Sequence, residues 1–190
     1  MDHRLEQWIN GPAGFHPFLD VTMVGAAAGA EPAFIALVAI WFVIGWLRRL
    51  PMDRQGAIAA LLAAGGALGA NQVLASIWYR PRPYIAHPER VHHLLGHSSD
   101  SSFPSDHAAA AFAIAAVLFA RHRRLGLMAL AAAVLVGYAR VYMGDHYPSD
   151  VLAGTAIGMG VGVVFARWFA VVPQFARLLV DGLLIRLRLL

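Results

Sequence analysis

Long apolar segments, separated by short polar stretches, make up most of this 190-residue chain. A helix of about 20 apolar residues is enough to cross the hydrocarbon core of a membrane. Hydrophobic residues form 59% of the chain and charged residues only 14%, so the chain cannot cover its surface with polar groups as a soluble globule does. The sequence therefore predicts an all-α integral membrane bundle of about six transmembrane helices, at residues 15–30, 32–47, 55–78, 105–120, 125–142 and 148–171.

The chain is expected to form one domain over residues 1–190. Its length suits a single domain, and it contains no internal repeat. The first apolar segment is short and carries Asp20, so it either spans the membrane or lies in the interface. Residues 174–190 place arginines among leucines, which predicts an amphipathic tail.

Two residue types are missing from the sequence. Without cysteine, disulfides, thiolate catalysis and cysteine-bound metals are excluded. Without lysine, all 15 basic residues are arginine. A net charge of +4 can indicate nucleic-acid binding, but these arginines lie between apolar segments. That arrangement favours membrane orientation and anionic ligands, and we predict no nucleic-acid partner.

The arginines also orient the bundle. If residues 55–78 run from the inside to the outside, the arginines at positions 48–54, 121–124 and 167–188 lie inside, as the positive-inside rule requires. Those left at the outer face run against this bias and need another explanation. They are Arg80, Arg82, Arg90 and Arg140.

Three polar clusters meet at the same outer face. Residues 79–83 end the third apolar segment, residues 103–107 open the fourth, and residues 139–150 connect the fifth and sixth. Two helices start here, and a helix start offers free N–H groups and the positive end of a dipole to an anion. Together with Arg82 and Arg140, these two helix starts predict a phosphate site that needs no metal.

The histidines of these clusters can carry phosphoryl transfer. Asp150 lies four residues after His146, so it can accept from one ring nitrogen and leave the other free to attack phosphorus. His107 can protonate the leaving oxygen. Each pattern alone also has a structural interpretation: Arg-Pro-Arg-Pro as a stiff loop, Ser-Asp-His as a helix cap and His-x3-Asp as a structural pair. Their meeting at one membrane face favours catalysis through a phosphohistidine.

These motifs resemble those of the type-2 phosphatidic acid phosphatase family, which consists of membrane lipid phosphatases. The family pattern combines Lys-x6-Arg-Pro, Pro-Ser-Gly-His and Ser-Arg-x5-His-x3-Asp. The resemblance covers about residues 55–171. This chain carries Arg82-Pro83, Pro104-Ser105-x-His107 and Arg140-x5-His146-x3-Asp150.

The resemblance implies a role for each matching residue. His146 would be the nucleophile, Asp150 would orient it, and His107 would be the general acid. The phosphate oxygens would be held by Arg82, Arg140 and Ser105.

Three positions depart from the family pattern. Ala75 stands where the family has lysine, Asp106 replaces the glycine, and Ala139 replaces the serine. We expect Arg80 or Asn71 to take over the missing contact with phosphate, Arg80 because a guanidinium can replace an ammonium there. The alternative for Arg80 is that it points to lipid headgroups. Asp106 is interpreted as a helix cap. Its alternative role is to discriminate between a pyrophosphate and a monoester.

The Pro-Ser-Asp-His form, with Asn71 upstream, is similar to the bacterial undecaprenyl-pyrophosphate phosphatase branch. This similarity implies a polyprenyl pyrophosphate substrate, membrane lipids as partners, no cofactor, and an active site at the outer face of the cytoplasmic membrane. The alternatives are another lipid phosphate, such as phosphatidylglycerophosphate, phosphatidate or lipid A, or a small membrane transporter with histidine and arginine along a polar path.

The loop over residues 87–102 contains four histidines, at positions 87, 92, 93 and 97. A metal site is conceivable, but Glu89 and Asp100 do not have the spacing of metal ligands. We interpret the segment as a polar loop or substrate gate and predict no metal.

Overall fold

A computed structural model gives the structure of the chain and describes residues 2–94, 96 and 100–171. These residues form α-helices and no strand. Of the five long helices, α2, α3, α6 and α7 have the length and apolar composition to cross a membrane, which confirms the predicted all-α membrane bundle. The helices are α1 Asp2–Asn10, α2 Pro17–Leu47, α3 Pro51–Ile77, α4 Pro83–Ala86, α5 Asp106–Arg121, α6 Arg123–Tyr142 and α7 Pro148–Val171.

The first two predicted segments form one continuous helix, α2, with Pro32 inside it. A proline removes one backbone donor, but membrane helices tolerate this because local adjustments and neighbouring groups satisfy the freed carbonyl. At 1.5 Å per residue, its 31 residues extend about 46 Å, which exceeds the hydrocarbon core. The described residues therefore contain five long helices where the sequence predicted six. The predicted tail, 174–190, lies outside the described residues.

The shortest of the five long helices, α5, lies at the centre of the bundle. It packs against α2, α3, α6 and α7, and most of its alanines are buried. Small residues let neighbouring helix backbones approach closely. Gly154, Gly158 and Gly162 of α7 face α5, and a Cβ atom at Gly158 would collide with the carbonyl of Ala109. This close approach places the starts of α5 and α7 side by side.

The two ends of the bundle differ in character. The end of α6 and the starts of α5 and α7 form one end, and α1 lies against it. The side-chain amide of Asn10 in α1 donates to the carbonyls of His92 and Tyr142, at 2.8 and 2.7 Å. The opposite end, where α2 turns into α3 and α5 into α6, carries the arginines at positions 48, 49, 54, 121, 123 and 124.

Candidate active site

A tight turn after α6 places His146. The backbone N–H groups of Asp145 and His146 both donate to the carbonyl of Arg140, at 3.1 and 3.3 Å. Gly144 has a φ of 77°, in the left-handed region that favours glycine, and a Cβ atom there would collide with Val91. The turn leaves His146 only 2% exposed, directly after the last turn of α6.

Arg82 and Arg140, which the sequence predicts to bind phosphate, meet around the carboxylate of Asp145. One oxygen of Asp145 lies 3.1 Å from Nη2 of Arg140, and the other lies 3.8 Å from Nη1 of Arg82. The second oxygen also lies 3.1 Å from Nε2 of His93. Arg82 additionally donates through Nε and Nη2 to Asp100, at 3.1 and 2.9 Å. Carboxylates of the chain itself therefore hold the cationic centre together.

Two buried polar atoms of the predicted phosphate-binding residues lack a partner among the described residues. Ser105 Oγ and Arg140 Nε make no hydrogen bond with any residue that the structure describes, and an unpaired buried polar group costs about 1–3 kcal/mol. His107 follows Ser105 by two residues and interacts electrostatically with Arg82 and Arg140. An oxyanion among these side chains would give both atoms a partner, because Arg140 Nε and the Ser105 hydroxyl can both donate to it.

The imidazole of His146 is neutral at pH 7. Its burial, together with the positive charges of Arg140 and Arg82, holds the pKa of His146 well below its ordinary value. Nδ1 lies 2.8 Å from the backbone carbonyl oxygen of Ser102. Because a carbonyl can only accept, Nδ1 carries the proton and Nε2 keeps its lone pair. The ring thus has the protonation state that a nucleophile needs.

The carboxylate of Asp150 has different partners from the one expected. The sequence predicts a bond to the ring of His146, but Asp150 accepts from Ser102 Oγ at 2.6 Å and from the backbone N–H of Tyr147 at 2.9 Å. It also pairs with Arg80 at 2.6 Å. The physical reason is local: Asp150 is the third residue of α7 and reaches back to the residue that precedes the helix, as in a capping box.

The guanidinium of Arg80 binds carboxylates of the chain. Nη1 donates to Asp150 and to Ser149 Oγ, at 2.6 and 2.7 Å, and Nη2 donates to Asp2 of α1 at 2.7 Å. Asp2 also accepts from the backbone N–H of Ser149 at 3.0 Å. Two carboxylates therefore occupy the start of α7, which the sequence assigned to phosphate. In this arrangement Arg80 neutralises a buried acid, and both terminal nitrogens of its guanidinium are engaged by carboxylates.

Asp106 and Asn71 bind each other. Asn71 Nδ2 donates to one oxygen of Asp106 at 2.8 Å, and Gln72 Nε2 donates to the other at 3.1 Å. The residue before α5, Ser105, makes no side-chain capping bond. Asp106 therefore connects α5 to α3, although the sequence favoured a helix cap at this position. Asn71, a candidate for the missing phosphate contact, donates to Asp106.

The histidines of the 87–102 loop contact aromatic rings. His87 stacks on His3 with 4.1 Å between ring centroids, and His93 stacks on Tyr84 at 3.9 Å. Within the described part of the chain, no group of three or more His, Cys, Asp or Glu side chains has the geometry of a metal site. His97 lies outside the described residues.

Three residues of this region carried no role in the sequence analysis. Asp145 lies between the two motif arginines, and its position directly before His146 is the signal that could have found it. Ser102 contributes a backbone carbonyl, which no side-chain pattern reports. Asp2 comes from α1, and nothing in its local sequence indicates that it reaches α7.

The contacts of Arg80 lead to a testable expectation. Arg80→Ala should lower both stability and turnover, because it leaves the fully buried carboxylate of Asp150 without its ion pair. The loss of stability should be about 3 kcal/mol, the lower end of the range for removing one partner of a buried pair. Thermal unfolding in detergent and phosphate release measure the two effects.

Arg90→Ala is the matched control, because Arg90 and its partner Glu89 are both exposed and such pairs contribute little. The contradicting outcome is an Arg80→Ala variant that keeps its stability but loses turnover, and that regains turnover when Ala75→Lys is added. Arg80 would then act by binding substrate phosphate and not by pairing with Asp150.

Comparisons with known proteins show the family to which the chain belongs. The sequence profile of the PAP2 superfamily matches residues 56–173. Undecaprenyl-diphosphatase BcrC of Bacillus subtilis is 31% identical over 95% of this chain and 90% of its own length. Phosphatidylglycerophosphatase B of the same species is 31% identical over 75% of this chain and 71% of its own length.

Among solved structures, Aquifex aeolicus LpxE has a TM-score of 0.73 and 28% identity, and the match covers 87% of this chain and 94% of LpxE. The family profile covers more than half of the sequence. The chain therefore belongs to the PAP2 superfamily, as a membrane-embedded hydrolase of lipid pyrophosphates or phosphates with undecaprenyl-diphosphatases among its relatives.

Proposed function

We propose that this enzyme hydrolyses undecaprenyl pyrophosphate to undecaprenyl phosphate and inorganic phosphate, and so recycles the lipid carrier of the cell envelope. The observation that carries the proposal is the pair of unpaired buried atoms, Ser105 Oγ and Arg140 Nε, in the same region as the neutral imidazole of His146. The similarity to undecaprenyl-diphosphatase BcrC over nearly the whole chain supports this lipid as the substrate.

The terminal phosphate of the substrate binds to Arg82, Arg140 and Ser105. Arg82 is buried, but its partner Asp100 is 63% exposed, so a phosphate can displace that carboxylate at small cost. Arg140 Nε and Ser105 Oγ gain the partner that they lack in the protein alone. These donors stabilise the charge on the oxygens of the transferred group, which is the main contribution of a protein to phosphoryl transfer.

His146 then attacks the terminal phosphorus through Nε2. A bond forms between Nε2 and phosphorus, and the bond between phosphorus and the bridging oxygen breaks. Arg82 and Arg140 disfavour the charged form of His107 in the free enzyme. The negative charge of the bound pyrophosphate offsets them, so His107 takes up a proton from water and donates it to the bridging oxygen, which leaves as undecaprenyl phosphate. The phosphoryl group remains on His146.

Water completes the reaction. His107, now neutral, takes a proton from a water molecule, whose oxygen attacks the phosphorus and displaces Nε2. Inorganic phosphate leaves, and both histidines return to their starting states. Arg82 and Arg140 hold the phosphate oxygens in both steps, so one anion site serves the whole cycle.

Apolar surfaces next to this region suit a lipid substrate. A cavity of about 240 Å³ is lined by Trp78 and Phe103 together with Arg80 and Ser149. Trp78 and Tyr79 are 70% and 61% exposed, and aromatic residues of this kind are typical of the membrane interface. A prenyl chain can therefore remain in apolar surroundings while its phosphates reach the arginines.

Substrate preference tests the proposal. Purified protein in detergent should release phosphate from undecaprenyl pyrophosphate with a kcat/KM at least about tenfold above the values for phosphatidate, phosphatidylglycerophosphate and lipid A, a discrimination that pocket contacts can supply. A chelator should leave the rate unchanged, because arginines and the serine supply the anion site. His146→Ala is the inactive control.

If one of the other lipids has a higher kcat/KM, that lipid takes the place of undecaprenyl pyrophosphate as the substrate. If the protein releases phosphate from none of the four lipids, the result favours a membrane transporter.

We also propose that the active site faces the outside of a bacterial cytoplasmic membrane. The arginines of the opposite end, such as Arg121 and Arg123, then lie inside. The chain has no cysteine, so single cysteines introduced as Ser99→Cys and His122→Cys can be labelled separately in intact cells with an impermeant thiol reagent. We expect labelling at position 99 only, and labelling at 122 alone would invert the orientation.

A further inference from the structure

The histidine proposed as nucleophile is oriented by a backbone group. Nδ1 of His146 lies 2.8 Å from the carbonyl oxygen of Ser102, and both residues are buried. The carboxylate of Asp150 contacts Ser102 in turn, with 2.6 Å between one of its oxygens and Ser102 Oγ. The order of contacts is therefore His146, Ser102, Asp150.

We propose that Ser102 is the positioning residue of His146, and that Asp150 acts on the histidine only by holding Ser102. This inference rests on the proposed function, because it assigns a role in orienting the nucleophile of that reaction. It also differs from the direct contact between aspartate and histidine that the His-x3-Asp spacing suggests.

Ser102 is fixed at three points. Its backbone N–H donates to the carbonyl of Arg80 at 2.8 Å, its hydroxyl donates to Asp150, and its carbonyl accepts from His146. Arg80 closes the ring of contacts, since its guanidinium donates to the other oxygen of Asp150 at 2.6 Å. A carbonyl held in this way fixes both the direction and the tautomer of the imidazole.

The chemistry of the acceptor also suits the reaction. A carboxylate bonded to the ring would favour the imidazolium form, which has no lone pair for attack. A neutral carbonyl accepts the same hydrogen without adding a negative charge, while Arg82 and Arg140 oppose protonation. His146 can therefore stay neutral until phosphorus approaches Nε2.

The substitution Asp150→Asn distinguishes a direct bond between Asp150 and His146 from a contact that runs through Ser102. If a carboxylate bonded Nδ1 directly, an amide in its place would favour the wrong tautomer, which costs about 10⁴-fold in kcat in the serine-protease triad. With Ser102 between them, the Asn oxygen can still accept from Ser102 Oγ. We then expect kcat to fall by less than about 100-fold, the size of a small positioning error.

The tautomer itself can be observed without any substrate. In ¹⁵N NMR spectra of histidine-labelled protein, assigned with His146→Ala, His146 should carry its proton on Nδ1 in both the wild type and Asp150→Asn. A switch of the proton to Nε2 in Asp150→Asn would overturn the proposal.

Removing the serine hydroxyl provides a second test. Ser102→Ala keeps the carbonyl but frees it from Asp150, so we expect kcat to fall by about 10–100-fold while KM stays within about twofold. Ser76→Ala, which removes an exposed serine hydroxyl near the same end of α3, should change neither value. Wild-type kcat in Ser102→Ala would contradict the proposal.

The double variant shows whether Asp150 works through Ser102. If it does, Ser102→Ala combined with Asp150→Asn should be within about threefold of the more severe single variant, because both remove the same contact. If the fold losses in kcat of the two single variants multiply in the double variant, Asp150 acts independently of Ser102. A wild-type enzyme inactive on undecaprenyl pyrophosphate would count against the proposed function, whereas the NMR result tests the positioning contact by itself.

Discussion

Two arginines are buried at one end of an apolar helical bundle, and the carboxylate of Asp145 makes this possible. An uncompensated buried charge costs several kcal/mol, and Asp145 contacts both Arg82 and Arg140 while it is itself only 4% exposed. Arg82 and Arg140 share Asp145, and the other carboxylate, Asp100, is 63% exposed and bonds Arg82 alone, so the buried part of the centre carries more positive than negative charge. That charge attracts an anion, and it also keeps the neighbouring His146 neutral.

Helix packing brings the chemical groups to this centre. The glycines of α7 let its backbone lie against α5, and the backbone N–H of Ser105 at the start of α5 donates to the carbonyl of Asp150 in α7, at 3.1 Å. His107 in the first turn of α5 and His146 just before α7 therefore lie at the same end of the bundle. An apolar stripe of small residues inside the membrane thus determines the geometry of a polar site at its edge.

Sequence reasoning predicted the all-α membrane bundle and the clustering of Arg82, Arg140 and His146 at one end of it, because both leave a pattern in the residue types. It did not predict that α2 is continuous, since Pro32 looks like a break although membrane helices accommodate proline. It could not predict the partner of His146, because that partner is a backbone carbonyl. The contacts of Arg80 were also missed, because one of its carboxylates, Asp2, comes from a distant helix.

The central claim is that His146 carries the phosphoryl group between lipid and water. Undecaprenyl pyrophosphate labelled with ³²P in its terminal phosphate, mixed rapidly with the enzyme and quenched in alkali, tests this claim directly. The account predicts a transient label that is stable in alkali and lost in acid, located by mass spectrometry on the peptide that contains His146 and absent from His146→Ala. Label on another residue, or release of labelled phosphate by His146→Ala at the wild-type rate, would contradict it.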